Sequence, residues 1–312
     1  MIPIEEIRRA REVLEGVAIR TPLVRLDAAT AAEVWLKLEL LQPVRSFKIR
    51  GAGNAVMQAS DEELAGGVLT ASAGNMAQGV ALAARLRSVP ATIVVPEHAP
   101  QTKLDAIARY GGSVIRVPYD EWWNTLVTGS YPGVDGMIVH PVADPLVMAG
   151  NGTIGLELLE QSDDFDAVIV PYGGGGLLTG IASAVKAERP GVRFYSAEPA
   201  TGAPAAATFE AGTPTEVEYT PSFVDGSGSR ALIPQVWEHA RELLDGAFSV
   251  QVADTAAAVR LLAERTRVIA EGAGALAVAA ALRVDARKIV CIVSGGNIDP
   301  SVFARILQGE TP

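Results

Sequence analysis

The stretch Phe165–Arg189, FDAVIVPYGGGGLLTGIASAVKAER, decides the architecture of this chain. Its opening, FDAVIVPY, is the short apolar, β-branched run of a buried strand, and its close, IASAVKAER, has helical patterning. Between them lies Gly173–Gly180, GGGGLLTG. A strand that passes through glycines into a helix begins a βα unit. Successive glycines at that junction expose backbone N–H groups at a positive helix N-terminus, a setting suited to a phosphate. A flexible turn is the alternative, but a glycine run costs folding entropy, which favours anion binding. The spacing is neither that of a P-loop nor GxGxxG, so neither a nucleoside triphosphate nor a dinucleotide is implied.

The same alternation extends outward in both directions. Strand-like runs GVLTAS, ATIVVP, SVIRVP, GMIVHP, AVIVPY, RFYSAEP and KIVCIVS are each followed by a helix-like segment such as MAQGVALAARLR or QTKLDAIARYG. This predicts an α/β protein with mostly parallel sheets covered by helices. The proline-marked HPVADPLVMAG, residues 140–150, reads as a boundary. It divides a large lobe, 1–53 with 143–312, from a small mobile lobe, 54–142. Residues 201–222, rich in Gly, Pro and Thr, read as a long surface loop.

Composition bounds the function. At 312 residues, 49% hydrophobic and 20% charged, the chain has ordinary globular content. A net charge of −10 argues against an electrostatic nucleic-acid footprint. No apolar run reaches transmembrane length, and MIPIEEIRRA reads as an amphipathic helix rather than a signal peptide. A cytoplasmic enzyme is the expectation. The single cysteine, Cys291, lies mid-strand and reads as a buried, inert thiol.

A second informative stretch is Ser46–Ala55, SFKIRGAGNA. Of the five lysines, Lys37, Lys103, Lys186 and Lys288 read as solvated. Lys48 is flanked by Phe47, Ile49, Gly51, Ala52 and Gly53, so a planar group can approach and desolvation can lower its pKa, as a Schiff-base lysine requires. The competing reading is a helix start capped by Ser46 with Lys48 pointing outward. A third segment, Val293–Asp299, VSGGNID, places Ser294 where a strand ends, which is where ligands gather in open parallel sheets.

Taken together, the chain resembles the pyridoxal-phosphate enzymes of the tryptophan-synthase-β type (fold type II), and within them the serine/threonine dehydratases. The pieces that carry the resemblance, in order along nearly the whole chain, are RTPLVRL, SFKIRGA, TASAGNMAQGVALAA, GNGTIGLELLEQ, VPYGGGGLLTGIA, EGAGALAVAA and VSGGNID. It implies that the cofactor is pyridoxal 5'-phosphate in a cleft between the lobes. Lys48 is then the Schiff-base lysine, with Phe47 as its flanking aromatic. Asn75 is the ligand of the phenolic oxygen, Gly173, Gly174, Gly175, Gly176 and Leu177 are the phosphate cup, and Ser294 is the partner of the pyridine nitrogen. Glu271, which opens a helix, lies near the cofactor by the same resemblance, or serves only the helix dipole. The family expectation is a homodimer.

A hydroxyl partner leaves the ring nitrogen neutral, which favours α-proton removal coupled to loss of a β-substituent. Lys48 is the candidate base. Ser72 and the amides of Ala73, Gly74, Asn75 and Met76 are the expected clasp for the substrate carboxylate. The reaction expected is dehydration and deamination of a 3-hydroxy amino acid, such as threonine or serine, to a 2-oxo acid and ammonia.

The chain departs from the family pattern at three places. Met76 stands where a histidine is usual, Asn151 where a glutamine is usual, and Trp122 with Trp123 form an unusual pair of which one lines a lid or an interface, the alternative being a plain core role for both. These changes point to a bulkier or acidic substrate. Ala73 stands where racemases of this fold carry a second serine, so racemisation is not the expected activity. Pro204 replaces the Asp that would join Glu198 at a divalent cation, so no metal is expected. No regulatory domain is read after SVFARIL. The alternatives are an amino-acid racemase, another β-elimination or β-replacement enzyme, and a cofactor-free binding protein on the same fold.

Overall fold

The computed structural model describes all of residues 1–312 except Ala29. Among the described residues, ten strands form two sheets. In chain order they are β1 (Leu23–Arg25), β2 (Glu33–Leu38), β3 (Val68–Ala71), β4 (Ala91–Pro96) and β5 (Gly112–Val117). There follow β6 (Met137–Ile138), β7 (Ala167–Pro171), β8 (Arg193–Pro199), β9 (Gly246–Val250) and β10 (Lys288–Val293). The larger sheet runs β1-β2-β10-β7-β8-β9 and the smaller β5-β4-β3-β6. Every pairing is parallel except that of β1 with β2.

Twelve helices cover the sheets among the described residues. The first six are α1 (Ile4–Val13), α2 (Lys48–Gln58), α3 (Asn75–Leu86), α4 (Gln101–Arg109), α5 (Tyr119–Thr128) and α6 (Pro145–Gln161). The others are α7 (Gly176–Glu188), α8 (Pro204–Ala211), α9 (Pro234–Ala240), α10 (Val252–Thr266), α11 (Gly272–Ala281) and α12 (Pro300–Leu307). Strands covered on both faces must be apolar throughout. In β10, Ile289, Cys291 and Val293 pack toward α10 and α11, while Val290 and Ile292 pack toward α7 and α9. The smaller sheet repeats the arrangement, with Val68, Ile93 and Val95 on one face and Leu69 and Val94 on the other. Among the described residues no helix is long and apolar enough to cross a membrane.

The 201–222 stretch is not wholly loop, because Pro204–Ala211 forms α8, started by proline at its first turn and ended by Gly212 at φ 71°. Strands β1 and β9 carry too little sequence signal to have been read. Two lysines read as solvated are instead buried. Lys37 donates to Glu157, to the Thr21 carbonyl at 2.7 Å and to Gln161 at 2.8 Å. Lys288 lies over the Trp35 ring, 4.6 Å from its centroid, and donates to Ser162 and Asp164. In both cases partners distant in sequence supply the anion and acceptors that a buried ammonium needs. Lys186 is half-buried and pairs with Asp245 at 2.9 Å.

Candidate active site

The carboxyl ends of β3, β7 and β10 open onto one cavity of about 330 Å³. This is the crevice where a parallel α/β sheet collects ligands. The residues assigned above to cofactor and substrate line it: Phe47 and Lys48 at the start of α2, Ser72 to Met76 after β3, Gly173 to Leu177 after β7, Glu271 before α11, and Ser294 after β10.

Lys48 reaches this cavity because its helix is pinned to the end of β10. Phe47 N–H donates to the Ser294 carbonyl at 3.0 Å, and Ser46 bridges Gly295. Ser46 is therefore buried against β10 and does not cap α2, whose N-cap is Phe47. The outward-pointing alternative for Lys48 fails for the same reason. Its Nζ donates to the Pro141 carbonyl at 3.1 Å and lies 5.0 Å from the Phe47 ring centroid. Burial lowers its pKa to about 8, against the opposing pull of Glu271. Lys48 lines the cavity, and a pKa of about 8 leaves a fraction of its amine uncharged there near neutral pH.

In the same lining, Gly175 caps the start of α7 at φ 92°, a conformation only glycine adopts freely. A Cβ on Gly174 would lie 2.5 Å from Val142 Cγ1. The loop is thus a bare backbone cradle whose amides point at a helix N-terminus, and a phosphate is the group such a cradle fits. An amine of lowered pKa, a phosphate cradle and buried Ser294, 3% exposed, in the lining of one cavity match the functional groups of a phosphorylated pyridine aldehyde. The residues present therefore fit pyridoxal phosphate. Gly174→Ala is expected to force the loop or Val142 aside. At about 1–3 kcal/mol for overpacking, cofactor binding measured by equilibrium dialysis should weaken about tenfold to a hundredfold.

Glu271 accepts from Asn75 Nδ2 at 2.7 Å and from the Asn297 backbone at 3.1 Å. Burial and the nearby Asp225 push its carboxyl up to about 7, with those two hydrogen bonds opposing. It lines the cavity as well as standing at the N-terminus of α11. At the mouth, Lys103 of α4 pairs with Asp225. This is the one ion pair among the described residues that joins the α4–β5 region to the loop before Gly226. Lys103 is therefore also not the plain solvated lysine its sequence suggested.

Sequence reading left other wall residues unassigned. Pro141 and Val142 belong to a turn in which His140 Nδ1 accepts from the Val142 and Ala143 amides at 3.1 and 2.9 Å. Only its prolines hinted at that turn. Asn297, which bonds to Asn75 from outside that lining, lies within VSGGNID, where a lone amide carries no pattern of its own. Of the tryptophan pair, Trp122 lines the cavity while Trp123 is 51% exposed. Asn151 is buried beneath the cavity instead of lining it, and donates to the Gly176 carbonyl at 3.4 Å.

Comparison with known proteins agrees with this geometry. Residues 14–295 match the family model described as pyridoxal-phosphate dependent enzyme. The L-threonine ammonia-lyase of Thermotoga maritima is 39% identical over 99% of this chain and 79% of its own. The catabolic L-threonine dehydratase of Staphylococcus aureus is 37% identical over 99% of this chain and 92% of its own. Among solved structures, the processed form of threonine deaminase isoform 2 from Solanum lycopersicum superimposes with a TM-score of 0.90 at 33% identity, covering 98% of this chain and 87% of that one. Maize serine racemase gives 0.90 at 34%, covering 98% and 96%.

Proposed function

This chain belongs to the pyridoxal-phosphate dependent enzymes, and from that membership we propose that it is an ammonia-lyase acting on threonine or serine. The water lost at Cβ is returned when the resulting imine hydrolyses, so the net products are a 2-oxo acid and ammonia. The observation that carries this reading is the convergence of the Lys48 amine, the glycine cradle, Asn75 and Ser294 on one cavity.

Bound pyridoxal phosphate supplies an electron-withdrawing ring that makes the substrate Cα–H acidic. We assign to Lys48 both the anchoring of that group and, once its Nζ is free, removal of the Cα proton. A pKa near 8 suits an amine that must accept and release a proton near neutrality. Ser72, whose Oγ already accepts from the Gly74 amide at 3.2 Å, and the amides opening α3 hold the substrate carboxylate and so orient Cα–H toward Lys48. Gly173 to Gly176 and Leu177 hold the phosphate, Asn75 the phenolic oxygen, and Ser294 the ring nitrogen. Phe47 packs beside Lys48 and limits water there. The lobes in this reading are 1–53 with 143–312 and 54–142, in a cytoplasmic homodimer whose size can be read by light scattering.

Solved racemases share this fold, and in this reading Ala73 in the cavity lining is the residue that disfavours racemisation. Returning a proton to the other face of Cα needs a donor, and a methyl group has none. Met76 beside it, buried and in the cavity lining, adds apolar wall. Wild-type enzyme is expected to give oxo acid from threonine or serine with little of the enantiomer, followed by an oxo-acid assay with chiral chromatography of residual substrate. Ala73→Ser should raise epimerisation several-fold. Rapid loss of enantiomeric purity in wild type without oxo acid would overturn the assignment.

A further inference from the structure

Asn75 and Glu271, which line the cavity, form a closed hydrogen-bonded ring with Asn297. Asn297 Nδ2 donates to Asn75 Oδ1 at 2.7 Å and to the Val44 carbonyl at 2.9 Å, while its backbone N–H donates to Glu271 Oε2 at 3.1 Å. Asn75 Nδ2 closes the ring on Glu271 Oε1 at 2.7 Å. The ring has a direction that follows from its starting point. A backbone carbonyl can only accept, so Val44 fixes which end of the Asn297 amide faces it. That end, a donor, can bond only to the oxygen of Asn75. The nitrogen of Asn75 is thereby turned to Glu271, and its second N–H is left for the cavity. An inverted Asn75 would set its oxygen against the Glu271 carboxylate and its N–H groups against those of Asn297, losing both bonds.

We propose that Asn297 is a positioning residue that locks the side-chain amide of Asn75 so that an N–H faces the bound cofactor. The proposal rests on the reading of Asn75 as the partner of the phenolic oxygen. Because Val44 lies just ahead of the Lys48 segment and Glu271 opens α11, the lock also ties the orientation of Asn75 to both.

The test compares holoenzymes carrying Asn75→Ala, Asn297→Ala, Asn297→Ser and the Asn75→Ala/Asn297→Ala pair. The readouts are the absorption band of bound pyridoxal phosphate and its dissociation constant by equilibrium dialysis, with circular dichroism to confirm folding. Asn297→Ala should shift the band in the same direction as Asn75→Ala and weaken binding about tenfold, as loss of an orienting partner does. Asn297→Ser keeps one donor and should fall between wild type and Asn297→Ala, and it carries the test if the alanine variant folds poorly. In the Asn75→Ala background, removing Asn297 should add less than about twofold, because both changes remove one interaction. An unshifted band in both Asn297 variants, beside a shifted one in Asn75→Ala, overturns the proposal and leaves the reading of Asn75 standing. An unshifted band in Asn75→Ala overturns both.

Discussion

Lys48→Ala is expected to abolish covalent capture of pyridoxal phosphate and to lower oxo-acid formation by about a thousandfold or more, the upper range of what a general acid–base group supplies. The effect is large because anchor and base are the same amine. No neighbour substitutes for it: Lys103, the other lysine of the cavity, is held at the mouth by Asp225. Borohydride treatment followed by peptide mass spectrometry should find the cofactor fixed to Lys48 in wild type and nowhere in the variant. The pH dependence follows from burial. With the Lys48 pKa lowered to about 8, the free amine of the apoenzyme grows as pH rises and is nearly complete above that value. The rate of cofactor capture should therefore climb through pH 8 and level off, about two units below an ordinary lysine. Wild-type turnover in Lys48→Ala would refute the mechanism.

The second large effect lies behind the site. Arg50, one turn of α2 beyond Phe47, is buried with all its donors engaged. Its Nε and Nη2 clasp both oxygens of Glu39 at 2.8 Å. Its Nη1 meets Glu157 at 2.7 Å and Thr153 at 3.0 Å, and Nη2 also reaches the Ile19 carbonyl at 3.1 Å. Arg50→Met leaves two buried carboxylates facing Lys37 alone, and breaking a buried pair in this way costs about 3–5 kcal/mol. Denaturant unfolding should show that loss at pH 7. The sign of its pH dependence is informative. In wild type, burial pushes the Glu39 carboxyl up but Arg50 and Lys37 hold it below its usual value, so its contribution is present at neutral pH and lost as pH falls through the folded pKa. Without Arg50, burial dominates and the folded pKa rises above the unfolded value of about 4.3. The variant's deficit should then shrink as pH is lowered from 7 toward 5. A deficit that is constant over that range would mean that Glu39 is not the strained group.

Much of this protein is written locally. The apolar runs of β3, β4, β7 and β10 and the helices between them follow from hydrophobic period, and period is a property of neighbours in the chain. The glycine loop is legible locally as well, since a run of glycines between a strand and a helix admits the φ of 92° at Gly175, whereas the want of room at position 174 comes from Val142, brought there by the fold. Lys48 is set apart from the other lysines by the small and apolar residues beside it, and the fold places it in the cavity.

What sequence left open concerns polar side chains whose partners come from far along the chain. Lys37 reads as an ordinary charged residue until Glu157, 120 positions away, arrives beside it. Asn297 has no periodicity to announce it, and its role exists only because Asn75 and Val44 meet it across separations of 222 and 253 residues. The Pro141 carbonyl that receives Lys48 is likewise invisible, since every residue carries a carbonyl. Patterning of apolar residues fixes which elements form and which faces they bury, because burial is non-directional and tolerant of the partner. Hydrogen bonds and buried charges are directional and short-ranged, so the pairs that tune Lys48, Asn75 and Glu271 were decided only when the tertiary structure brought particular atoms within about 3 Å.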